Sequence, residues 1–293
     1  MIHYSDDAQK RDAELILLAE AGDHVSIAHF LGLNSRAGLD ATAAFQLAAL
    51  NGHLECAKLL LPFSTPAANE SYALRWSAAS GHAECVKLLI PVSDPKAKDS
   101  WALRLAAADG HAECVSLLYP FSDPRANSSG AFRSAAEQGH LECLKILAPC
   151  SNATANDSQA LRLAAKNGHA ECVELLIPLS QAKALNSLAL RLAAENGHAE
   201  CFELLIPVSE PLVQLSDLLL SAILAGSASI VKLMLEQEPC LSAGLDLSMH
   251  HSWAMDSAHF DLAELLASII DHQALSEATP EAGCSLANPS ARL

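Results

Sequence analysis

The motif Gly-His-[Ala/Leu]-Glu-Cys returns every 29 residues, its glycine falling at Gly52, Gly81, Gly110, Gly139, Gly168 and Gly197. A unit this short cannot enclose a core alone. It buries its apolar face against the next copy, so the chain must be a stacked array. The register extends outward to Asp23, 29 residues before Gly52, and to Gly226, 29 after Gly197. A looser ninth copy follows a three-residue insertion and has Ala258 in the glycine position. Nearly the whole chain belongs to the array, and function must reside on the surface that the array presents.

Half of the residues are apolar, but aromatic residues make up only 4%. The interior is therefore built from Leu, Ala, Ile and Val, which favours closely packed helices over a sheet. One copy, residues 157–178, shows the design. Asp157-Ser158 suits an N-cap, Leu161, Ala164 and Ala165 mark one helical face, and Asn167-Gly168 suits a left-handed C-cap. A second helix opens at His169 with Glu171 in its first turn. It turns Cys172, Val173, Leu175 and Leu176 inward and ends at Pro178. That stop recurs at Pro62, Pro91, Pro120, Pro149, Pro178 and Pro207, with a serine two residues later each time. Alanine pairs such as Ala78-Ala79, Ala106-Ala107 and Ala193-Ala194 allow close approach of neighbouring helices.

The formal net charge is −16. The acids concentrate at the ends: 7 acids and 3 bases over residues 1–51, 16 and 13 over 52–208, and 11 and 2 over 209–293. A net-negative chain without a basic stripe repels phosphates, which argues against nucleic acid and anionic membranes as partners. A basic partner would be steered toward the C-terminal third. The amino end has no basic region followed by a long apolar run, and no apolar stretch is of membrane-spanning length, so a cytoplasmic protein is expected. Six of the nine cysteines form one repeat column: Cys56, Cys85, Cys114, Cys143, Cys172 and Cys201. Stacked copies lie about 8–10 Å apart, too far for disulfides between equivalent positions, so reduced thiols in a reducing compartment are expected.

The pattern Leu-x-x-Ala-Ala-x-x-Gly-His-x-Glu-x-x-x-Leu-Leu resembles the ankyrin repeat over roughly residues 12–270. The resemblance implies an all-α fold, a curved α-solenoid of about nine helix-turn-helix repeats. The period is 29 residues where the family's is about 33, so the β-hairpin fingers should be shortened or absent. The expected organisation is a single repeat domain over 1–272. It comprises an N-terminal capping repeat (1–41), regular repeats (42–211) and divergent C-terminal capping repeats (212–272), followed by a flexible tail over 273–293. The family's helix-starting histidine is replaced by a column of arginines, Arg75, Arg104, Arg133, Arg162 and Arg191. These should hydrogen-bond carbonyls of adjacent linkers and pair with Asp99 or Asp157.

The repeated His-x-x-Cys is poor metal chemistry. It offers two ligands per copy, and copies about 8–10 Å apart cannot converge on a zinc ion with bonds of about 2.0–2.3 Å. A thiol enzyme needs one singular Cys and His, whereas these are multiplied alike. No enzyme and no cofactor is expected. The untemplated residues are Cys240, Met249, His250, His251, Trp253, Asp256, His259 and Asp261, and an enzyme or metalloprotein centred there is the alternative reading.

Comparing copies within the chain separates packing positions from variable ones. The variable positions lie just inside the first helix (Tyr72, Trp101, Gly130, Gln159, Leu188) and just before the glycine. Resemblance to ankyrin repeats implies that both sets line the concave groove. The expected partner-binding residues are Tyr72, Trp101, Ser80, Asp109, Gln138, Gln159, Lys166, Asn167, Glu195 and Asn196. Tyr72 and Trp101 should form an aromatic step, and Trp76, in a leucine position, should be core. The expected function is a monomeric, non-enzymatic module that binds another protein. The short Pro-x-Ser-[Asp/Asn]-Pro arrays are similar to those of bacterial ankyrin proteins, which implies a possible effector delivered into a host cell. An immunity or antitoxin-type binder is a further alternative.

Overall fold

The computed structural model describes residues 3–33, 39–209, 215–237 and 247–278. The chain forms two compact units, one of residues 1–164 with 174–180 and the other of residues 165–173 with 181–293. The first unit contains five helix pairs: α1 (His3–Ala21) and α2 (His24–Leu33), α3 (Thr42–Leu50) and α4 (Leu54–Leu60), α5 (Ala68–Ala79) and α6 (Ala83–Leu89), α7 (Ala97–Ala108) and α8 (Ala112–Leu118), α9 (Ala126–Gln138) and α10 (Leu141–Leu147). Helices α11 (Ala155–Asn167) and α12 (Ala170–Leu176) belong in part to each unit. The second unit holds α13 (Ala184–Glu195) and α14 (Ala199–Leu205), α15 (Leu215–Leu224) and α16 (Ala228–Gln237), α17 (Leu247–Asp256) and α18 (Phe260–Ala278). The all-α repeat array is thus realised as nine helix pairs among the described residues. No strand occurs among them, so the fingers are absent there. The expected tail from 273 lies beyond the described residues only after Ala278, where α18 ends.

In the first unit the opening helices pack on one another in series, α1 on α3, α3 on α5, α5 on α7 and α7 on α9. The closing helices do the same from α2 through α10. Both layers are built from the repeat columns. Ala78, Ala106, Ala107, Ala135 and Ala136 are fully buried, which brings the opening helices close together. Leu60, Leu89, Leu118 and Leu147 seal the layer beneath, beside the thiol column. Closing helices α4, α6, α8 and α10 each run into a proline. At Leu61–Phe63 and Ile90–Val92 the chain tightens into a single 3-10 turn with the proline in its first positions.

Successive pairs are joined through the glycine and the histidine. Gly52, Gly81 and Gly110 have φ of +76°, +76° and +79°, a left-handed conformation that closes the opening helix. A side chain there would also have no room. A Cβ on Gly81 would lie 2.6 Å from Nδ1 of His111, the histidine of the following repeat. The same ring-over-glycine contact joins Gly52 to His82, Gly110 to His140, and, within the second unit, Gly168 to His198 and Gly226 to His259. The other face of the ring system is anchored by backbone. Nε2 of His53 donates to the Glu20 carbonyl at 3.1 Å, and that of His140 to the Ala108 carbonyl at 3.0 Å. A carbonyl only accepts, so Nε2 carries the proton. The contact also corrects the register of the first copy. His53 sits over Gly22, with φ +74°, so Gly22 and not Asp23 holds the glycine position. Asp23 instead caps α2, its carboxylate accepting from the Ser26 backbone N–H at 2.9 Å and the Ser26 hydroxyl at 2.6 Å. One additional residue lies between that copy and the next. At the other end Ala258, with φ +61°, takes the glycine position of the ninth copy as expected.

The linkers depart from expectation. Asn69-Glu70-Ser71 have φ of 53°, 57° and 58°, so a left-handed turn precedes the right-handed part of α5. Lys98-Asp99-Ser100, Asn127-Ser128-Ser129 and Asn156-Asp157-Ser158 do the same. The Asp-Ser pairs therefore do not cap helices in the usual way. They form the turn itself, at a cost of roughly 1–2 kcal/mol per non-glycine residue. Each serine is repaid by the following repeat. The Oγ atoms of Ser71, Ser100 and Ser129 are buried and accept the backbone N–H of Asp94, Asp123 and Asn152 at 2.8, 2.7 and 2.8 Å. The carboxylates of Asp94 and Asp123 then bond the N–H groups of Lys96 and Arg125, both at 2.9 Å, closing the Ser-Asp-Pro turn.

Two glycines separate these requirements experimentally. Gly81→Ala places a Cβ both in a left-handed backbone and against His111, and should lower stability by at least about 1–2 kcal/mol. Gly130 lies inside α9, and a Cβ there meets side-chain atoms alone, Asn127 Nδ2 at 3.3 Å and Asn127 Cβ and Arg104 Cδ at 3.4 Å. Gly130→Ala should therefore be neutral or stabilising by up to about 1 kcal/mol. Urea denaturation of the two variants checks the ordering.

Burial lowers the His82 pKa below its usual value, partly offset by the bond to the Leu50 carbonyl. The folded protein thus favours the neutral ring. Its stability contribution is present above the unfolded value of about 6.5 and is lost as pH falls through the lower folded value. The drop in melting temperature from pH 7.5 to 5.5 should be smaller in His82→Gln than in the wild type.

Candidate protein-binding face

Positions i, i+3, i+4 and i+7 of each opening helix lie on one helical face, counted from the variable position. In the first unit this stripe reads Tyr72, Arg75, Trp76, Ala79 on α5, then Trp101, Arg104, Leu105, Ala108 on α7. On α9 it reads Gly130, Arg133, Ser134, Glu137, and on α11 it begins with Gln159, Arg162 and Leu163. Most of these residues are half-buried, between the closed packing of the alanine columns and open solvent.

The arginines first serve the left-handed turns. Nη2 of Arg75 donates to the Asn69 carbonyl at 2.7 Å, Arg133 to Asn127 at 2.9 Å and Arg162 to Asn156 at 2.7 Å. The carbonyls belong to each arginine's own linker, not an adjacent one. No ion pair joins Asp99 or Asp157 to an arginine among the described residues, since their carboxyls sit on the turn whose backbone the guanidinium reads. Arg75 is 6% exposed, and burial pulls its pKa below the ordinary guanidinium value. Within the second unit, Arg191 instead lies 3.9 Å from Glu195 on the same helix.

Around these arginines gathers an aromatic and cationic cluster. The Arg75 guanidinium carbon is 4.9 Å from the Trp101 ring centre and 5.8 Å from that of Tyr72. Lys98 Nζ lies 5.1 Å and the Arg104 guanidinium 5.5 Å from Trp101. Tyr72 and Trp101 therefore do not form a ring-on-ring step; Arg75 is interposed between them. Tyr72 meets Trp76 instead, with ring centres 5.9 Å apart and planes tilted by 49°. Trp76 is 38% exposed, so it is not the core residue its leucine alignment suggests. The position itself is not core, since Leu105 and Leu163 are also only half-buried there, so the indole lies on the stripe. Lys98 also forms an ion pair with Glu70 across the two turns.

The remaining expected residues are distributed along the same helices. Gln159 is committed internally, its Oε1 accepting from Arg133 Nη1 at 2.6 Å and Asn156 Nδ2 at 3.0 Å. Ser80, Asp109 and Gln138 are exposed at the far ends of α5, α7 and α9. Eight residues separate them from Tyr72, Trp101 and Gly130, about 12 Å along a helix at 1.5 Å per residue. They form a second row, not part of the aromatic cluster. Lys166, Asn167, Glu195 and Asn196 lie in the second unit, all exposed at the ends of α11 and α13. There Asn196 Nδ2 closes α13 by donating to the Leu192 carbonyl at 2.8 Å.

In the divergent C-terminal copy, His259 takes the repeat's histidine position over Gly226 and also lies 5.5 Å from Trp253. His250 is buried in α17. Cys240 is outside the described residues. No three His, Cys, Asp or Glu side chains gather into a metal-binding group among the described residues. No helix among them is long and apolar enough to cross a membrane.

The comparisons agree with this architecture. The sequence profile of ankyrin repeats (3 copies) matches residues 15–99, 77–158, 103–186 and 132–217. The matched segments span more than half of the chain, and the protein belongs to the ankyrin-repeat family. The crystal structure of the human ASB11 ankyrin repeat domain is similar in fold, with a TM-score of 0.59 and 23% sequence identity. The similarity covers 66% of this chain and 97% of that one. No curated protein matches the sequence significantly. Ankyrin repeats are in general protein–protein interaction modules.

The thiol column is part of the interior. Cys85, Cys114, Cys143, Cys172 and Cys201 are buried, and burial pushes each thiol up to about 11. Cys56 is raised for the same reason. These thiols are protonated at neutral pH and shielded from reagents. Maleimide labelling of the native protein, mapped by mass spectrometry, should leave all six unmodified until denaturant is added, while half-buried Cys150 reacts first among the described cysteines.

Proposed function

We propose that this protein is a non-enzymatic binding module that holds a partner protein against the opening-helix stripe of its first unit. The observation that carries the reading is the cluster of Tyr72, Trp76 and Trp101 around Arg75, where copies otherwise held constant by packing diverge into large, partly exposed side chains. Tryptophan, tyrosine and arginine in half-buried positions are the residue types that concentrate binding energy in protein interfaces. They are also already ordered by contacts with one another, so little side-chain entropy is lost on binding. Ser80, Asp109, Gln138 and Gln159 would border the contact in this unit, with Lys166, Asn167, Glu195 and Asn196 offering the equivalent row on the second.

The cluster is locally positive in an acidic chain. Arg75, Lys98, Arg104 and Arg133 set four cations against the three carboxylates of Glu70, Asp99 and Glu137 along the stripe and its turns. This favours a partner surface carrying acidic groups, in contrast to the basic partner that the overall charge favours elsewhere.

A partner identified by co-purification and mass spectrometry provides the test, with affinity measured by calorimetry. The double variant Tyr72→Ala/Trp101→Ala should weaken binding by at least about 2 kcal/mol, some thirtyfold. Circular dichroism should show an unchanged helix content. Undiminished affinity in the folded double variant overturns the assignment of this face.

A further inference from the structure

Four of the five arginines of the column have hydrogen bonds or an ion pair, and one does not. Arg75, Arg133 and Arg162 bond the first carbonyl of their left-handed turns, and Arg191 approaches Glu195. Arg104 makes neither a hydrogen bond nor an ion pair among the described residues; its contact is with the Trp101 ring. The reason lies one repeat further on. Gly130 stands where the neighbouring copies carry Trp101 and Gln159, and the Arg104 side chain runs past it, with Cδ 3.4 Å from where a Cβ would be. The missing side chain frees the guanidinium from its turn. It also opens a cleft of about 240 Å³ lined by Arg104, Asn127, Gly130, Arg133, Glu137 and Gln159, among others.

A second unused donor belongs to the same lining. Nε of Arg133 is buried and has no acceptor, although Nη1 and Nη2 of that residue are bonded to Gln159 and Asn127. A buried donor without a partner is destabilising, so an acceptor entering the cleft recovers that loss.

We infer that the cleft over Gly130 binds a carboxylate, supplied by an aspartate or glutamate side chain of the bound partner, with Arg104 and Arg133 as its donors. The inference rests on the face assigned above and names the chemistry of one contact on it. A planar guanidinium presents two parallel N–H groups to a carboxylate, and the Trp101 ring holds Arg104 in place without consuming those donors. The volume equals about eight waters at roughly 30 Å³ each, enough for one acidic side chain and below the size of a typical small-molecule site. Charge selects the carboxylate over a phosphate. Two guanidiniums against the Glu137 carboxylate leave one net positive charge, which balances a monoanion, while a dianion would meet Glu137 in an already acidic chain.

The probe is N-acetyl-aspartate amide, with N-acetyl-asparagine amide as its neutral isostere and inorganic phosphate as the competing oxyanion. The readout is the Nε–H NMR signals of Arg104 and Arg133 in arginine-labelled full-length protein, assigned with Arg104→Lys and Arg133→Lys. The aspartate should shift both signals saturably at millimolar concentration, the asparagine should not, and phosphate should bind more weakly. Gly130→Leu should abolish the saturable shift; Leu188 fills the same position in another copy, so the fold accepts it, and circular dichroism verifies this. Absence of saturation, equal shifts with asparagine, tighter phosphate binding, or an undiminished response in Gly130→Leu overturns the inference.

The two readings fail separately. If aspartate does not bind but Tyr72→Ala/Trp101→Ala still weakens the partner, the cleft assignment falls and the face stands. If aspartate binds both arginines while that double variant binds the partner normally, the cleft stands as a carboxylate site and the face assignment falls.

Discussion

The structure depends on a void of one methyl group at the ends of the opening helices, filled at Gly22, Gly52, Gly81, Gly110, Gly168 and Gly226 by an imidazole from the next repeat. Gly81 must be glycine twice over, for its left-handed φ and for the His111 ring that occupies the space of a Cβ. The ring is then held by a bond to a carbonyl at the end of the preceding opening helix, as in His53 to Glu20. That short, directional contact sets the distance between copies more tightly than alanine packing alone. It also gives the recurring histidine a packing role of its own. Where the histidine is replaced, as by Ser227 after Gly197, the nearest atom lies at 3.7 Å and the joint is looser.

A 29-residue period leaves little chain for the connection between pairs. The left-handed turns are how this short connection reverses direction, and they bring a cost that the arginine column offsets. Arginine at this position is thus structural by default, its guanidinium reading the carbonyl of its own turn. Among Arg75, Arg104, Arg133 and Arg162 that default lapses only at Arg104, since Arg75 keeps the bond to its turn. Arg75 is drawn in between Tyr72 and Trp101, while Arg104 is released toward the cleft. The same residue type at the same position does three different things, and the neighbour one repeat later decides which.

Much of the fold was legible because repetition converts weak local signals into a column. Helix pairs, glycine C-caps, proline stops and buried thiols all follow from residues that recur in step. What sequence missed was backbone handedness and side-chain direction. Asp157-Ser158 has the composition of an N-cap, yet short linkers force it into a left-handed turn, and no composition rule distinguishes the two. Gly22 was displaced from the register by one inserted residue, which only its contact with His53 reveals. Trp76 reads as core because leucine shares its position, yet Leu105 and Leu163 are themselves only half-buried there. The cleft was hardest to see, because it arises from a side chain that Gly130 lacks. A glycine in a column of large residues was the available signal, and it marks space, which becomes chemical only once Arg104 is placed beside it.

Both kinds of joint point the same way along the chain. The serines of the left-handed turns at Ser71 and Ser100 are satisfied by the backbone of the repeat that follows, and glycines such as Gly52, Gly81 and Gly110 are covered by a histidine that has yet to be reached. A repeat therefore remains incomplete until its successor arrives, some 29 residues later, which at about 5–20 residues per second is a delay of a few seconds on the ribosome. Growth of the array is vectorial: the leading edge is always the unfinished one, and a chain released early would fray backward from its last copy while its first copies stayed closed.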